Sequence, residues 1–485
     1  MTRLAEGASA SASGLQPLGT AALPAPPPFT PRHVLGTIGP GVIGLGVAIG
    51  SGEWLLGPAI VATYGPQLLW LTTVSVLLQV LLNLEMARYT LYTGEPIVTG
   101  FMRTWPGPTF WGSAYALLTF FQYGWPGWAL ASATATAALV LGRIPNADDA
   151  SLVVMLGYAT FALCLLIVAM GRKIERTLEL AIWGMVGGIL LYLFGVCVAS
   201  VDGSTFGRTV TGFVSVGSVP PGVNWTLIAA FAAYSGSGGM GNAFITNWMR
   251  DKGYAMAGTV GYIPAAAGTK VGLSAHGNVF EVTPASLRDW HGWWKHVHVD
   301  QWLVFGFGSL AAMGLTALLA LQFVESGSAV GGWNAANMLA QGIAATHGPL
   351  FWYLTVFCGF WVLFSTQLAV VDGLPRAITD ILWSASARVR GLRGSDVRVV
   401  YYGVLACFAI WGAIALNLAQ PLTLILISAN VAGFIMILIS VHTLIVNRKV
   451  LPPQLRPAPW REASLVVTAL FYGALLIAVV VSLTS

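Results

Sequence analysis

Glu53 is the sole charged residue in the stretch Ile38–Tyr64, which is long enough to cross a bilayer. A carboxylate at mid-membrane depth costs several kcal/mol, so it normally faces a protein cavity and marks a substrate or ion path. Directly before it stands Gly50-Ser51-Gly52, three poor helix formers in a row. That run predicts a helix that opens at this point and frees backbone groups to meet a ligand. Small residues also let membrane helices pack closely, which is the competing reading of the same glycines. Glu53 itself has three possible roles. It could ligate a cation, such as a coupling Na⁺ or a hard divalent ion like Mg²⁺. It could take up and release a proton, or accept hydrogen bonds from the freed N–H groups.

A second run of this kind lies further on, within Phe231–Asn242. Its core is Tyr234-Ser235-Gly236-Ser237-Gly238-Gly239, and residues 235–241 hold four glycines and two serines. No continuous helix is expected through it. Gln122 and Tyr123 are further candidates to face a site formed here.

These residues need apolar elements to hold them, and composition supplies little else. The chain has 485 residues, of which 56% are hydrophobic and 8% charged. Soluble proteins carry about 25% charged residues, so an all-α polytopic membrane protein follows, with the lipid bilayer as its solvent. Eleven apolar spans are expected, near 35–64, 67–90, 109–141, 151–170, 179–200, 225–249, 301–323, 348–372, 399–418, 421–446 and 463–483. The third is too long for a straight crossing and contains Pro126, so a tilt or kink is expected there. Alternating the sides places 21 of the 23 basic residues on one face and leaves only Arg143 and Arg208 opposite. By the positive-inside rule the N-terminus is then cytoplasmic and the C-terminus outside. Residues 1–33 read as a disordered cytoplasmic tail, because the apolar core of a signal peptide is missing. The net charge of +5 sorts by membrane side and calls for no nucleic acid. Cys164, Cys197, Cys358 and Cys407 fall in apolar spans without metal or disulfide spacing. In the segment 251–300, His276, His291, His296 and His298 alternate with Trp290, Trp293 and Trp294. They suggest an interfacial segment anchored by tryptophan, or a loose chelating set. Glu85 is expected to pair with Arg88. Nothing resembles a nucleotide-binding loop or another enzyme motif, so catalysis is not expected.

The two glycine runs lie five spans apart. Such matching interruptions point to an inverted five-plus-five repeat with the substrate site where the breaks meet. Residues 34–200 would form the first repeat, 225–447 the second, and span 463–483 an addition.

Several short motifs resemble the Nramp metal transporters: Gly39-Pro40-Gly41, Tyr64-Gly65-Pro66-Gln67-Leu68-Leu69-Trp70, Thr93-Gly94 and the basic turn Gly171-Arg172-Lys173. The resemblance implies the leucine-transporter fold. It also places the family's Asp-Pro-Gly-Asn metal motif on Gly50-Ser51-Gly52-Glu53, and its Met-Pro-His motif near Gly239-Met240-Gly241. The family's Asp is then Gly50 and its metal-binding Met is Gly239, so a transition-metal site is not expected. Gly50-Ser51-Gly52 and Phe231–Gly236 also resemble amino-acid transporters of the amino acid–polyamine–organocation superfamily. There, glycines let backbone N–H groups approach a carboxylate, and half-helix dipoles add to the attraction. Within this fold, Ser365 and Thr366 occupy the region where sodium-coupled members place hydroxyl ligands. Asn430 either lines the path or bonds between helices.

The expectation drawn from these readings is a divergent Nramp relative, a secondary transporter of the bacterial inner membrane. It would carry a small anion, bicarbonate or a small carboxylate, with possible Na⁺ coupling and no cofactor. A divalent cation held by Glu53, an amino acid, or a non-transporting sensor or scaffold are the alternatives.

Overall fold

The computed structural model describes residues 14–169, 174–264, 271–325, 327 and 337–484, without the side chains of Ser51, Ile174 and Glu175. The Gly171-Arg172-Lys173 turn lies outside the described residues. Among those residues, nine helices are long and apolar enough to cross a membrane. Two more crossings are each made of paired shorter helices. The third span is Pro108–Tyr123 followed by Gly127–Leu141, with the chain interrupted at Gly124-Trp125-Pro126 as Pro126 implied. The sixth is Trp225–Tyr234 followed by Met240–Lys252. Eleven crossings result.

Burial sorts the spans. Every residue of Pro40–Ala48 is buried, so the first span runs through the middle of the bundle. A helix apolar on all sides is suited to that place. The fourth and eleventh spans instead turn Leu163, Leu166, Leu470 and Ile477 outward. Two spans are longer than the apolar runs suggested. Thr283 caps Pro284–His298 in a reciprocal arrangement with Ser286, and that helix continues without a stop into the seventh span, ending at Phe323. The eighth span runs from Pro349 to Ala385 through Pro375. Its inner third carries Asp372, Arg376 and Asp380, the last two beyond the apolar run 348–372. They are tolerated because all three are buried and paired. Arg376 reaches Asp372 at 2.7 Å and also contacts Asp251, while Arg250 grips Asp380 at 2.7 Å. Removing one partner of such a buried set costs about 3–5 kcal/mol.

The expected disordered tail is corrected over residues 14–33. Gly19–Thr20 pairs in parallel with Asn278–Val279, and Pro31–Thr37 is a short helix leading into the first span. Trp290 and Trp293 are buried against protein rather than anchored in a lipid interface. Trp293 donates its indole N–H to the Pro24 carbonyl at 2.8 Å. The aliphatic and proline surface of the tail gives these rings a drier, closer partner than headgroups would.

Candidate functional site

The sixth-span break is a loop of five residues, Ser235–Gly239. Gly236, Gly238 and Gly239 have φ of 118°, 64° and 50°, a left-handed backbone that only glycine adopts at little cost. Inside a bilayer the opened backbone must be satisfied by protein. Two glutamines do most of this. Gln79 of the second span donates to the Ser235 carbonyl at 3.0 Å and accepts from the Gly238 N–H at 3.1 Å. Gln122 of the third span donates to the Gly238 carbonyl at 3.1 Å and accepts from the Met240 N–H at 2.9 Å. Tyr123 adds its hydroxyl to the Ser237 carbonyl at 3.2 Å. The Ser235 hydroxyl meets Thr72 at 3.0 Å, Ser237 donates to the Gly44 carbonyl at 2.8 Å, and the Tyr234 hydroxyl bonds Ser428. Gln122 and Tyr123, candidates to face a site, thus stand against the opened backbone of the sixth span. Gln79 was missed, although a glutamine within an apolar span is itself a signal.

The first span does not break, which corrects the expected opening at Gly50–Gly52. Ile49–Leu56 is instead a π-helical stretch joining Pro40–Ala48 to Gly57–Tyr64, and the Gly57 N–H reaches the Gly52 carbonyl five residues back. The wider turn admits an extra residue while keeping backbone bonds, and such bulges concentrate at functional sites. Both glycines serve close approach. A Cβ on Gly50 would stand 1.9 Å from the Thr366 hydroxyl, and one on Gly52 would stand 1.9 Å from the Tyr234 carbonyl. The glycine surface that an anion would need is therefore filled by neighbouring protein. Ser51 follows this backbone, and its side chain lies outside the described residues.

Glu53 sits on the π-helical turn and is fully buried. Among the described residues no side chain pairs with either carboxyl oxygen, and the groups that approach it are the backbone amides of Glu53 and Gly236. A buried ionised carboxylate with no side-chain partner is costly, and the cost is relieved by a bound cation or a proton.

The eighth span supplies the third component. The Thr366 hydroxyl stands at 2.8 Å from the Gly46 carbonyl, 3.3 Å from Val47 and 3.4 Å from Val362. Three carbonyls from two spans thus converge on one hydroxyl, as hard-cation ligands do. Ser365 bonds only within its own helix, to Val362 at 2.8 Å. Beside them Gln367 accepts the Ala129 N–H at 3.0 Å, closing the third-span interruption. Asn430 donates to Thr226 at 3.2 Å and Leu426 at 2.9 Å, so it bonds between helices.

The histidines of segment 251–300 do not converge. His291 bonds Leu287 in its own helix, while His298 meets Arg461 at 3.1 Å. Among the described residues no three His, Cys, Asp or Glu side chains gather to hold a metal. Glu85 pairs with Arg88 at 2.7 Å, as expected, and also with Arg461 at 2.9 Å.

Solved structures share this fold. A mutant of the Eremococcus coleocola manganese transporter matches with a TM-score of 0.59 at 13% identity, covering 95% of this chain and 89% of that one. The same transporter with an aromatic bis-isothiourea compound matches at 0.57 and 14% identity, covering 95% and 90%. A nucleobase–cation-symport-1 family transporter, in a closed conformation with bromovinylhydantoin bound, matches at 0.51 and 13% identity, covering 92% and 93%. The chain is thus an integral membrane protein with the leucine-transporter fold, two inverted repeats of five spans plus one. No protein-family model matches the sequence, and a comparison with curated proteins finds no match.

Proposed function

We propose that this chain is a secondary active transporter that moves a hard divalent cation, chiefly Mg²⁺, past Glu53 by alternating access. The observation that carries the reading is a fully buried carboxylate beside a broken helix, with no side-chain partner among the described residues and only backbone amides near it. A hard oxygen ligand, with carbonyls nearby and water retained on the ion, suits Mg²⁺ better than a soft metal. The Nramp-like motifs of the first two spans favour a metal ion as the cargo, and the fold is one that a manganese transporter also has. Na⁺ at Thr366, against the Gly46, Val47 and Val362 carbonyls, is the coupling ion of this proposal. The basic face is cytoplasmic, the C-terminus lies outside, and the membrane is the bacterial inner one.

Bicarbonate or a small carboxylate is the second reading. It rests on the Gly236 amide near Glu53 and requires that Glu53 be neutral or cation-bound. Uptake into proteoliposomes separates the two. Mg²⁺ or Mn²⁺ flux that falls at least 100-fold in Glu53→Gln, with the protein still folded, is the expected result. Flux of labelled bicarbonate or acetate that follows a Na⁺ gradient, survives chelators and persists in Glu53→Gln would replace it.

A further inference from the structure

We propose that residues 14–30 form a strap across the basic face, and that it must lift before the inner half of the first span can move. The strap touches both repeats. Arg103, in the connection after the second span, donates to the Gln16 carbonyl at 3.0 Å. The Gly19 N–H reaches the Gly277 carbonyl at 2.9 Å, and the Ala21 N–H reaches Val279 at 3.0 Å. Further along, the strap crosses the helix that becomes the seventh span. Trp293 donates to Pro24, His296 donates to the Pro27 carbonyl at 3.0 Å, and Pro26 lies over Gly292.

His296 makes the strap more than a passive covering. Its other ring nitrogen meets the Thr37 hydroxyl at 3.0 Å, just before the first span begins. Tyr254 holds the Thr37 carbonyl and packs its ring 5.7 Å from that of Trp293. Strap, seventh-span extension and the inner end of the first span are therefore held at one point. Rocking one repeat against the other around a central site would have to part these contacts. The composition of the strap fits a latch that comes off. Pro24, Pro26, Pro27 and Pro28 offer carbonyls but no N–H groups, so on leaving they expose only acceptors that water can meet, while Trp293 and His296 give up their acceptors. Proline-rich chain is also already extended, which limits the ordering needed to dock again.

The test uses the full-length chain in proteoliposomes, with the four native cysteines replaced and Ile245→Cys added. Ile245 is buried against Gly44 of the first span, so labelling there by a water-soluble maleimide reports inner opening. Gly292→Leu should push the strap off, since a Cβ at 292 already comes within 2.5 Å of Pro26. Trp293→Phe, which keeps an aromatic ring, though a smaller one, and removes the indole donor, is the milder second variant. Detachment is read independently by chymotryptic cleavage after the exposed Phe29. Faster cleavage together with several-fold faster labelling is the expected result. Faster cleavage with unchanged labelling, faster labelling with Phe29 still protected, or no change in either variant overturns the proposal. None of these readouts depends on which ion is carried, so their failure leaves the Glu53 reading untouched.

Discussion

The first and sixth spans both carry a glycine run at matching places in the two repeats, yet only one of them breaks. At Ile49–Leu56 the helix widens and keeps its backbone bonds, while Ser235–Gly239 leaves the helix entirely. Glycine content does not separate them so much as what surrounds each glycine. Gly50 and Gly52 are pressed against Thr366 and the Tyr234 carbonyl, so their missing side chains are taken up as packing. The glycines of the sixth span carry positive φ, and the carbonyls they release meet side chains brought from the second and third spans. A membrane helix opens where partners for the opened backbone stand ready, and otherwise it bulges. The two regions accordingly divide the work. One supplies a rigid surface with a buried carboxylate, and the other supplies an irregular backbone beside it.

The sharpest way to break this contrast is Gly52→Val. The added atoms have nowhere to go, because the obstacle is the backbone of Tyr234 rather than a movable side chain. Overpacking of this kind costs about 1–3 kcal/mol or more, so a marked loss of thermal stability in detergent is expected. A stable Gly52→Val protein would mean that the two spans do not touch as described. Gln122→Leu tests the other region. It leaves the Met240 N–H without its partner, at about 1–3 kcal/mol for a buried group, and the Gly238 carbonyl with the Gly241 N–H alone. The expected outcome is a lower midpoint of unfolding and faster hydrogen exchange confined to residues 235–241. Exchange unchanged there would show that the break does not depend on the third span.

The smallest effect is expected outside both regions, at Glu95. Burial alone would raise its carboxyl, but Arg103 at 2.8 Å, with the Tyr89 hydroxyl and the Gly277 N–H, outweighs burial and holds it below the usual range. Because the folded value is lowered, this stability is present above the ordinary glutamate value of 4.5 and is lost as pH falls through the folded one. Below pH 4.5 the wild type should therefore lose thermal stability more steeply than Glu95→Gln. Parallel curves for the two proteins would remove the pair from the account.

Much of the frame was legible from residue types alone. Apolar length set the number of crossings, Pro126 marked the third-span interruption, and the dense glycines of 235–241 marked the sixth. Glu53 drew attention because a charge in lipid needs a reason, and among the described residues no side chain pairs with either of its oxygens. Hydropathy ended the eighth span at 372, since Arg376 and Asp380 count as polar until their partners on the sixth span are known. The tail read as disorder because its own residues bury little, and distant partners fix it in place: donors from Arg103, Trp293 and His296 and the carbonyls of Gly277 and Val279.

What the chain determined by itself was the local menu: which segments must lie in lipid, where a helix is weak, and which group is too costly to bury idly. Only the tertiary structure decided which weak point would open. A helix gives up its internal bonds only where other spans replace them. Gln79 and Gln122 come from 159 and 116 residues away to do so, a distance over which sequence pattern holds no information.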